Sequence, residues 1–328
     1  MRRSILILLD RWAAEGPADL ETVNSWKEEL GWESWLPVAE AAQASGSSDL
    51  VELVLPELTA LESDLLGLIH QSSPEERVDL MERLQVLIER SRDPEERDVA
   101  LEGRLRMERG LIRFEEGAMD EAGADLEWAE RRLRSVALAS RDHDLSLLNR
   151  AAFHMAIGEH LMSLQIHSEI SRHGGHAHET IALSRLQTCR IHLGLGHAHD
   201  ALRHAWNAHA HALMAGMIPI GVEAGAALLE IGAWNLDAEH PRMADVAAHA
   251  SPREVGDAPR LIGLHPADAN GVLEWCLGHA GPPWDGAIRP DLRSLTETAL
   301  LLGRKDLLET LPHDAIDDPV VIERLEQA

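Results

Sequence analysis

The chain has 328 residues, with 56 acidic against 30 basic side chains and a formal net charge of −26. No basic stripe exists to neutralise phosphates, so the backbone of DNA or RNA and an anionic membrane surface are both unfavourable partners. Two cysteines, Cys189 and Cys276, are too few for a disulfide framework and argue for a reducing compartment.

Apolar residues recur every three or four positions from the start, which predicts helices over 2–15, 19–30, 35–44 and 49–70, the last bent at Pro56. The apolar run Ile5 to Leu9 is closed by Asp10 and is too short for a signal-peptide core or a membrane span. Ser73-Pro74-Glu75-Glu76 and Asp93-Pro94-Glu95-Glu96 read as duplicate helix starts, each with a capping side chain, proline at the first helical position and an acid at the third. They predict helices over about 74–91 and 94–116.

One template then occurs four times. Around Gly117 lie Met107, Gly110 and Phe114 upstream, and Ala122, Leu126 and Ala129 downstream. The same offsets around Gly158 give Leu148, Ala151, Met155, Ser163, His167 and Ile170. Around Gly196 they give Leu186, Cys189, Leu193, Ala201, Ala205 and Ala208, and around Glu239 they give Leu229, Gly232, Leu236, Ala244, Ala248 and Ser251. Anchor spacings of 41, 38 and 43 residues are those of repeated helix pairs. Each copy predicts two antiparallel helices joined at a tight turn, the glycine supplying a left-handed backbone. Small residues facing large ones let the two helices approach closely. Because one pair cannot bury both its faces, neighbouring pairs must stack.

Residues 251–290 hold six prolines and six glycines and read as irregular chain around one short helix near 267–279. A last helical hairpin over about 291–327 turns near Gly303. The predicted organisation is therefore an N-terminal helical subdomain (1–92), four helical repeats (93–251), an irregular linker (252–290) and a C-terminal helical cap (291–328).

With the turn glycines, the alanines five residues later (Ala122, Ala201, Ala244) and the small residues at plus twelve (Ala129, Ala208), residues 94–251 resemble the tetratricopeptide-repeat-like superfamily. The copies run longer than that family's repeat and lack its Trp and Tyr signature positions. The resemblance implies an all-α superhelix, a solenoid, whose inner groove binds a peptide or helix of another protein.

In such a stack the inner face carries the positions nine and five before each turn. The polar row is Glu108, Asn149, Gln187 and Glu230; the apolar row is Ile112, Phe153, Ile191 and Trp234. A polar row beside an apolar one suits an extended or helical segment, and these eight residues are the expected partner-binding set. Their alternative uses are packing between repeats for the apolar row and plain solvent contact for the polar one.

Three other features bear on chemistry. Thirteen of the 19 histidines fall between His143 and His211, a segment whose charged residues sum to zero. Imidazoles at that density suit a metal ion or a proton-driven interaction switch, or are merely hydrogen-bonded surface groups. His197, His204 and His211 share a helix face, but a heptad of rise is about 10 Å, so another helix must contribute before an ion is held. The His-Asp pairs 143–144, 199–200 and 313–314 resemble the mark of the HD-domain metal phosphohydrolases. Finally, Trp26, Trp32 and Trp35 form either an aromatic cage or core packing.

No Gly-rich phosphate loop, nucleophile elbow or zinc-protease helix motif occurs, and no cofactor is implied. The sequence thus predicts a cytoplasmic, non-enzymatic protein-binding scaffold. A histidine-dependent metal site or phosphohydrolase, and a pH-responsive interaction protein, are the alternatives.

Overall fold

A computed structural model describes residues 5–31, 34–69, 76–236, 266–279 and 292–309, with a few single positions beyond. Every regular element among the described residues is helical, and none of these helices is long and apolar enough to cross a membrane. The chain forms two compact units, Met1–Thr180 and Ile181–Ala328.

The first unit begins with α1 (Leu6–Glu15), α2 (Leu20–Leu30), α3 (Leu36–Ala44), α4 (Ser48–Val54), α5 (Ala60–Ile69) and α6 (Glu76–Arg90). The predicted 49–70 helix is broken after a 3-10 turn at Leu55–Glu57, not merely bent. Pro56 cannot donate in the ladder, and a capping box restarts the helix: Thr59 Oγ1 accepts from Glu62 N at 3.2 Å while Glu62 Oε2 accepts from Thr59 N at 2.9 Å. Leu8, Val23, Leu30, Val38, Leu50, Leu65 and Ile88 form a buried core that also takes in Leu101 and Leu105 of the next helix. Trp26 is buried in that core, and Trp35 is filled from within the chain by Lys27, whose Nζ lies 4.6 Å from the ring centroid. Trp32 lies outside the described residues, as does the predicted helix start at Ser73-Pro74.

The long helix expected from residue 94 starts later, as α7 (Val99–Glu115). Asp93-Pro94-Glu95-Glu96 is a separate turn, because Glu96 folds back to accept a forked pair of bonds from Arg90 at 2.8 and 3.1 Å. Asp98 then takes the capping role, accepting from Leu101 N at 2.9 Å.

Three predicted bends share one geometry. α7 and α8 (Met119–Val136) meet at Gly117, α9 (Arg141–Ala156) and α10 (His160–Glu169) at Gly158, and α11 (His178–Gly194) and α12 (Ala198–Ala215) at Gly196. The glycine φ values are +81°, +83° and +75°. In each bend the N–H after the glycine reaches back to a carbonyl five residues earlier: Ala118 to Arg113 at 2.9 Å, Glu159 to His154 at 2.8 Å, and His197 to His192 at 2.8 Å. This is the Schellman closure, which satisfies carbonyls at the end of the first helix, and the helix that follows starts in each case without a side-chain cap bond. The template's small residues are buried as the spacing required: Ala122, Ala129, Ala151, Ser163, Cys189, Ala201, Ala205 and Ala208 are fully inaccessible. Leu193, a large template position, is instead exposed.

The second unit continues with α13 (Ile218–Leu236), α14 (Pro266–His279), α15 (Leu292–Leu301) and α16 (Lys305–Leu308). Alanines 201, 205, 208 and 212 keep α12 thin enough for close packing, and α14 approaches α13 so nearly that a methyl group on Gly225 would sit 2.5 Å from Cys276 Sγ. The fourth predicted bend, Glu239 with Pro241, Ala244, Ala248 and Ser251, lies outside the described residues. Gly303, φ +69°, joins α15 to α16.

Buried charge holds the first unit together. Arg104 on α7 donates to Glu108 at 2.7 Å and to Asp142 on α9 at 2.9 Å, and its third nitrogen lies 3.1 Å from Glu40 on α3. Arg141 donates to the other Glu40 oxygen at 2.5 Å. Burial works to lower the Arg104 pKa, but Glu108, Glu40 and Asp142 outweigh it and hold the guanidinium charged. Burial pushes the Glu40 carboxyl up, against the pull of Arg104 and Arg141. Removing one member strands the others in a low-dielectric site. Arg104→Met is expected to lower the unfolding free energy by about 3–5 kcal/mol in a urea titration, and adding Glu40→Leu should recover part of that. A single variant within about 0.5 kcal/mol of wild type would refute the network's role.

Candidate functional site

The eight predicted groove residues have unequal surroundings. In the first unit Glu108 is engaged by Arg104, and Ile112 packs against the N-terminal core. Asn149 is half-buried on α9, and Phe153 is 9% exposed, edge-on to Phe114 with ring centroids 5.9 Å apart and seated over Gly123. In the second unit Gln187 is half-buried with its Oε1 lacking a hydrogen-bond partner, Ile191 is buried, and Glu230 is exposed. The backbone of Trp234 lies in α13, but its side chain is outside the described residues. The apolar row thus serves helix packing at Ile112, Phe153 and Ile191.

Two histidine clusters form instead, one in each unit. Among the described residues, His143, Asp144 and His176 each bring a ligand atom within 4.8 Å of the others, and so do His192, His197 and Asp200.

The first cluster is buried and built from the α9 N-terminus and the loop before α11. Ser140 Oγ accepts from His143 N at 3.1 Å and starts α9. Asp144 follows one residue later and is saturated: Oδ1 lies 2.5 Å from His176 Nδ1, and Oδ2 accepts from Thr180 Oγ1 at 2.8 Å and from Ala177 N at 3.4 Å. His176 is wedged against Gly174, and its ring stacks on His143 with centroids 6.0 Å apart. Ala139, in a left-handed conformation at φ +57°, donates its N–H to His143 Nδ1 at 3.2 Å. A neutral His143 making that bond carries its proton on Nε2, which is buried with no hydrogen-bond partner. In this tautomer neither nitrogen offers a lone pair to an ion. The donor set matches an Asp–His support more closely than a metal shell, and Asp144 acts as the tie between α9 and the 176–180 segment.

The second cluster lies at the α11–α12 bend and is more open. His192 comes from α11, His197 is the residue after Gly196, and Asp200 is in the first turn of α12. His192 and His204 stack with centroids 5.4 Å apart and an interplanar angle of 4°, and His192 and His197 lie 5.7 Å apart. His192 Nδ1 is buried without a hydrogen-bond partner. Arg203 donates to Asp200 Oδ1 at 3.2 Å.

The sequence named most of these residues but not their partners. The His-Asp pair at 143–144 marked Asp144, yet only the fold brings His176 and Thr180 to it. The His-Asp pair at 313–314 lies outside the described residues. His192 had no spacing relation to His197 within one helix, because it belongs to the preceding one. A third feature carried a readable signal, the apolar residues flanking the turn glycines. Ile157, Leu161 and Met162 beside Gly158 are 41, 80 and 39% exposed, and Met119, Leu193 and Leu195 lie exposed beside the other two bends.

No protein-family model, curated protein or solved structure matches this chain.

Burial pushes the His143, His192 and His209 imidazoles below their ordinary value; Asp144 opposes this at His143, Asp200 at His192, and the Gly221 carbonyl at His209. The unfolded chain takes up protons near pH 6.5 that the folded chain refuses, so these groups leave stability intact above that value. It is lost as pH falls through their depressed folded values. Urea midpoints measured from pH 7.5 down to 5 should fall, with a shallower fall in His143→Asn. A midpoint unchanged over that range would contradict the burial of these rings as neutral groups.

Proposed function

We propose that this chain is a protein-interaction scaffold similar in build to the tetratricopeptide-repeat-like superfamily, and that its helical hairpins contact a partner mainly through their bends. The observation that carries this reading is the exposed apolar group Ile157, Leu161 and Met162, gathered within six residues around one glycine turn. Single exposed leucines are ordinary, but Leu161 at 80% exposure, with Ile157 four residues before it and Met162 next to it, is a local patch. Met119 beside Gly117 adds an apolar side chain at the neighbouring bend.

The support is chemical. A bend closed entirely by its own backbone has no need of apolar side chains around it. A protein or peptide partner with an apolar anchor gains from covering them, at about 25 cal/mol per Å² of apolar surface removed from water. The excess of acid on the surface favours a partner with a basic rim, which would also speed encounter.

Replacing Leu161 by Glu should cut recovery of the native partner from cell extract by about tenfold or more, equivalent to about 1.4 kcal/mol. The unfolding midpoint should stay within error of wild type, since the side chain packs on little. Undiminished recovery in an Ile157→Glu/Leu161→Glu chain would overturn the proposal.

A further inference from the structure

We infer that His192, His197 and Asp200 form a site for one divalent transition-metal ion of the zinc class, which fastens the end of α11 to the start of α12. The argument begins with the donors. Two imidazoles and one carboxylate from a single hairpin bring ligand atoms within 4.8 Å of one another. A tetrahedral ion with bonds of about 2.0–2.2 Å needs its donors roughly 3.3 Å apart. The side chains must therefore draw in by an amount that half-exposed rotamers can supply, with no change in the helix backbone.

The backbone is already fixed for this. Gly196 in the left-handed region and the His197 N to His192 O bond of 2.8 Å close the bend between the first two ligands. His192 and His197 therefore face each other across a turn whose geometry side-chain choice does not set. The same Schellman closure at Gly117 pairs Arg113 with Ala118, and at Gly158 it pairs His154 with Glu159. Only at Gly196 do these two positions both carry imidazoles. Asp200, one turn into α12, adds the negative charge that two neutral imidazoles lack.

A second observation points the same way. His192 Nδ1 is buried and has no hydrogen-bond partner, an arrangement that costs free energy unless something accepts or supplies the missing interaction. The opposing charge is Arg203, which takes one Asp200 oxygen at 3.2 Å and lies 3.4 Å from His204 Nε2. An ion has to share the carboxylate with it, which sets the site in the moderate affinity range rather than the tightest. Cys189 on α11 is buried and is not among the residues whose ligand atoms converge here. Nitrogen and oxygen donors alone favour zinc, nickel or cobalt over ions that seek sulfur.

The site gives the histidine-rich segment a specific use without a catalytic step. With three protein ligands, a fourth position stays open to water or to a side chain from a partner.

The test uses the full chain, stripped with a chelator and then equilibrated with zinc alone. Wild type should bind one zinc per chain, and zinc should raise its unfolding temperature. His197→Ala and Asp200→Asn change exposed or half-exposed side chains, so both variants should keep the wild-type helical content. Each should weaken zinc binding about tenfold or more, and the double variant should lose the thermal shift. Cobalt should give visible d–d absorption in wild type that the double variant lacks. His173→Ala, an exposed histidine in the other unit, should behave as wild type. Stoichiometric zinc retained by the double variant, or no uptake above that of the scattered surface histidines, would overturn the assignment.

Discussion

A glycine in the left-handed region, closed by a hydrogen bond from the following N–H to a carbonyl five residues back, is the constraint on which the rest of this structure depends. It ends one helix and reverses the chain into the next without a capping side chain. A residue with a Cβ pays about 1 kcal/mol or more at such a φ, so the position is demanding. The residues after the glycine make no side-chain cap bond, and the side chains around the three bends differ in chemistry. Glu159 ties back to His154 at one bend, while another has two histidines, and apolar side chains line all three.

The second constraint is electrostatic. A chain of net charge −26 would repel itself if its acids were spread at random, but several of them are buried and neutralised in place. Asp125, on α8, takes a forked pair from Arg109 at 2.6 and 2.7 Å and a further bond from Arg113. Glu130 takes Arg134 and Arg150. Asp125 thus ties α7 to α8 within one hairpin, while Glu130 through Arg150 and Arg104 through Asp142 and Glu40 link that hairpin to α9 and α3. Arginine's planar fork makes such sites possible, and the composition of 28 arginines and two lysines has a structural use here whatever its origin.

These two constraints differ in how far the sequence reveals them. Gly117, Gly158 and Gly196 were legible because a turn glycine and the small residues around it recur at fixed offsets, and hairpin packing has no other periodic solution. The start of α7 was misread because Asp93-Pro94-Glu95-Glu96 satisfies every local rule for a helix start, while the decisive bond comes from Arg90, a tertiary choice. Glu40 and Arg104 carry no sequence signal that marks them as a buried pair. Their burial depends on α3 lying against α7, and nothing in the spacing of either helix encodes that. The same holds for the candidate sites. Ile112, Phe153 and Ile191 each hold the same place on their own helix, which could serve a partner or a neighbouring helix equally, and in the structure each side chain is buried or half-buried. His192 became part of a cluster only through a bend that brings the end of one helix beside the start of another.

Among the described residues, Ile112, Phe153 and Ile191 are taken up in packing, while two bends carry an exposed apolar group at Gly158 and a nitrogen and oxygen donor set at Gly196. Contact through bends rather than faces is the central claim. Site-specific photo-crosslinking in the native cell tests it most directly, with a benzophenone side chain placed in turn at positions 161, 187 and 230. The account predicts a discrete partner adduct from position 161, stronger than from either of the others. Adducts from 187 and 230 with none from 161 would contradict it and return recognition to the helix faces.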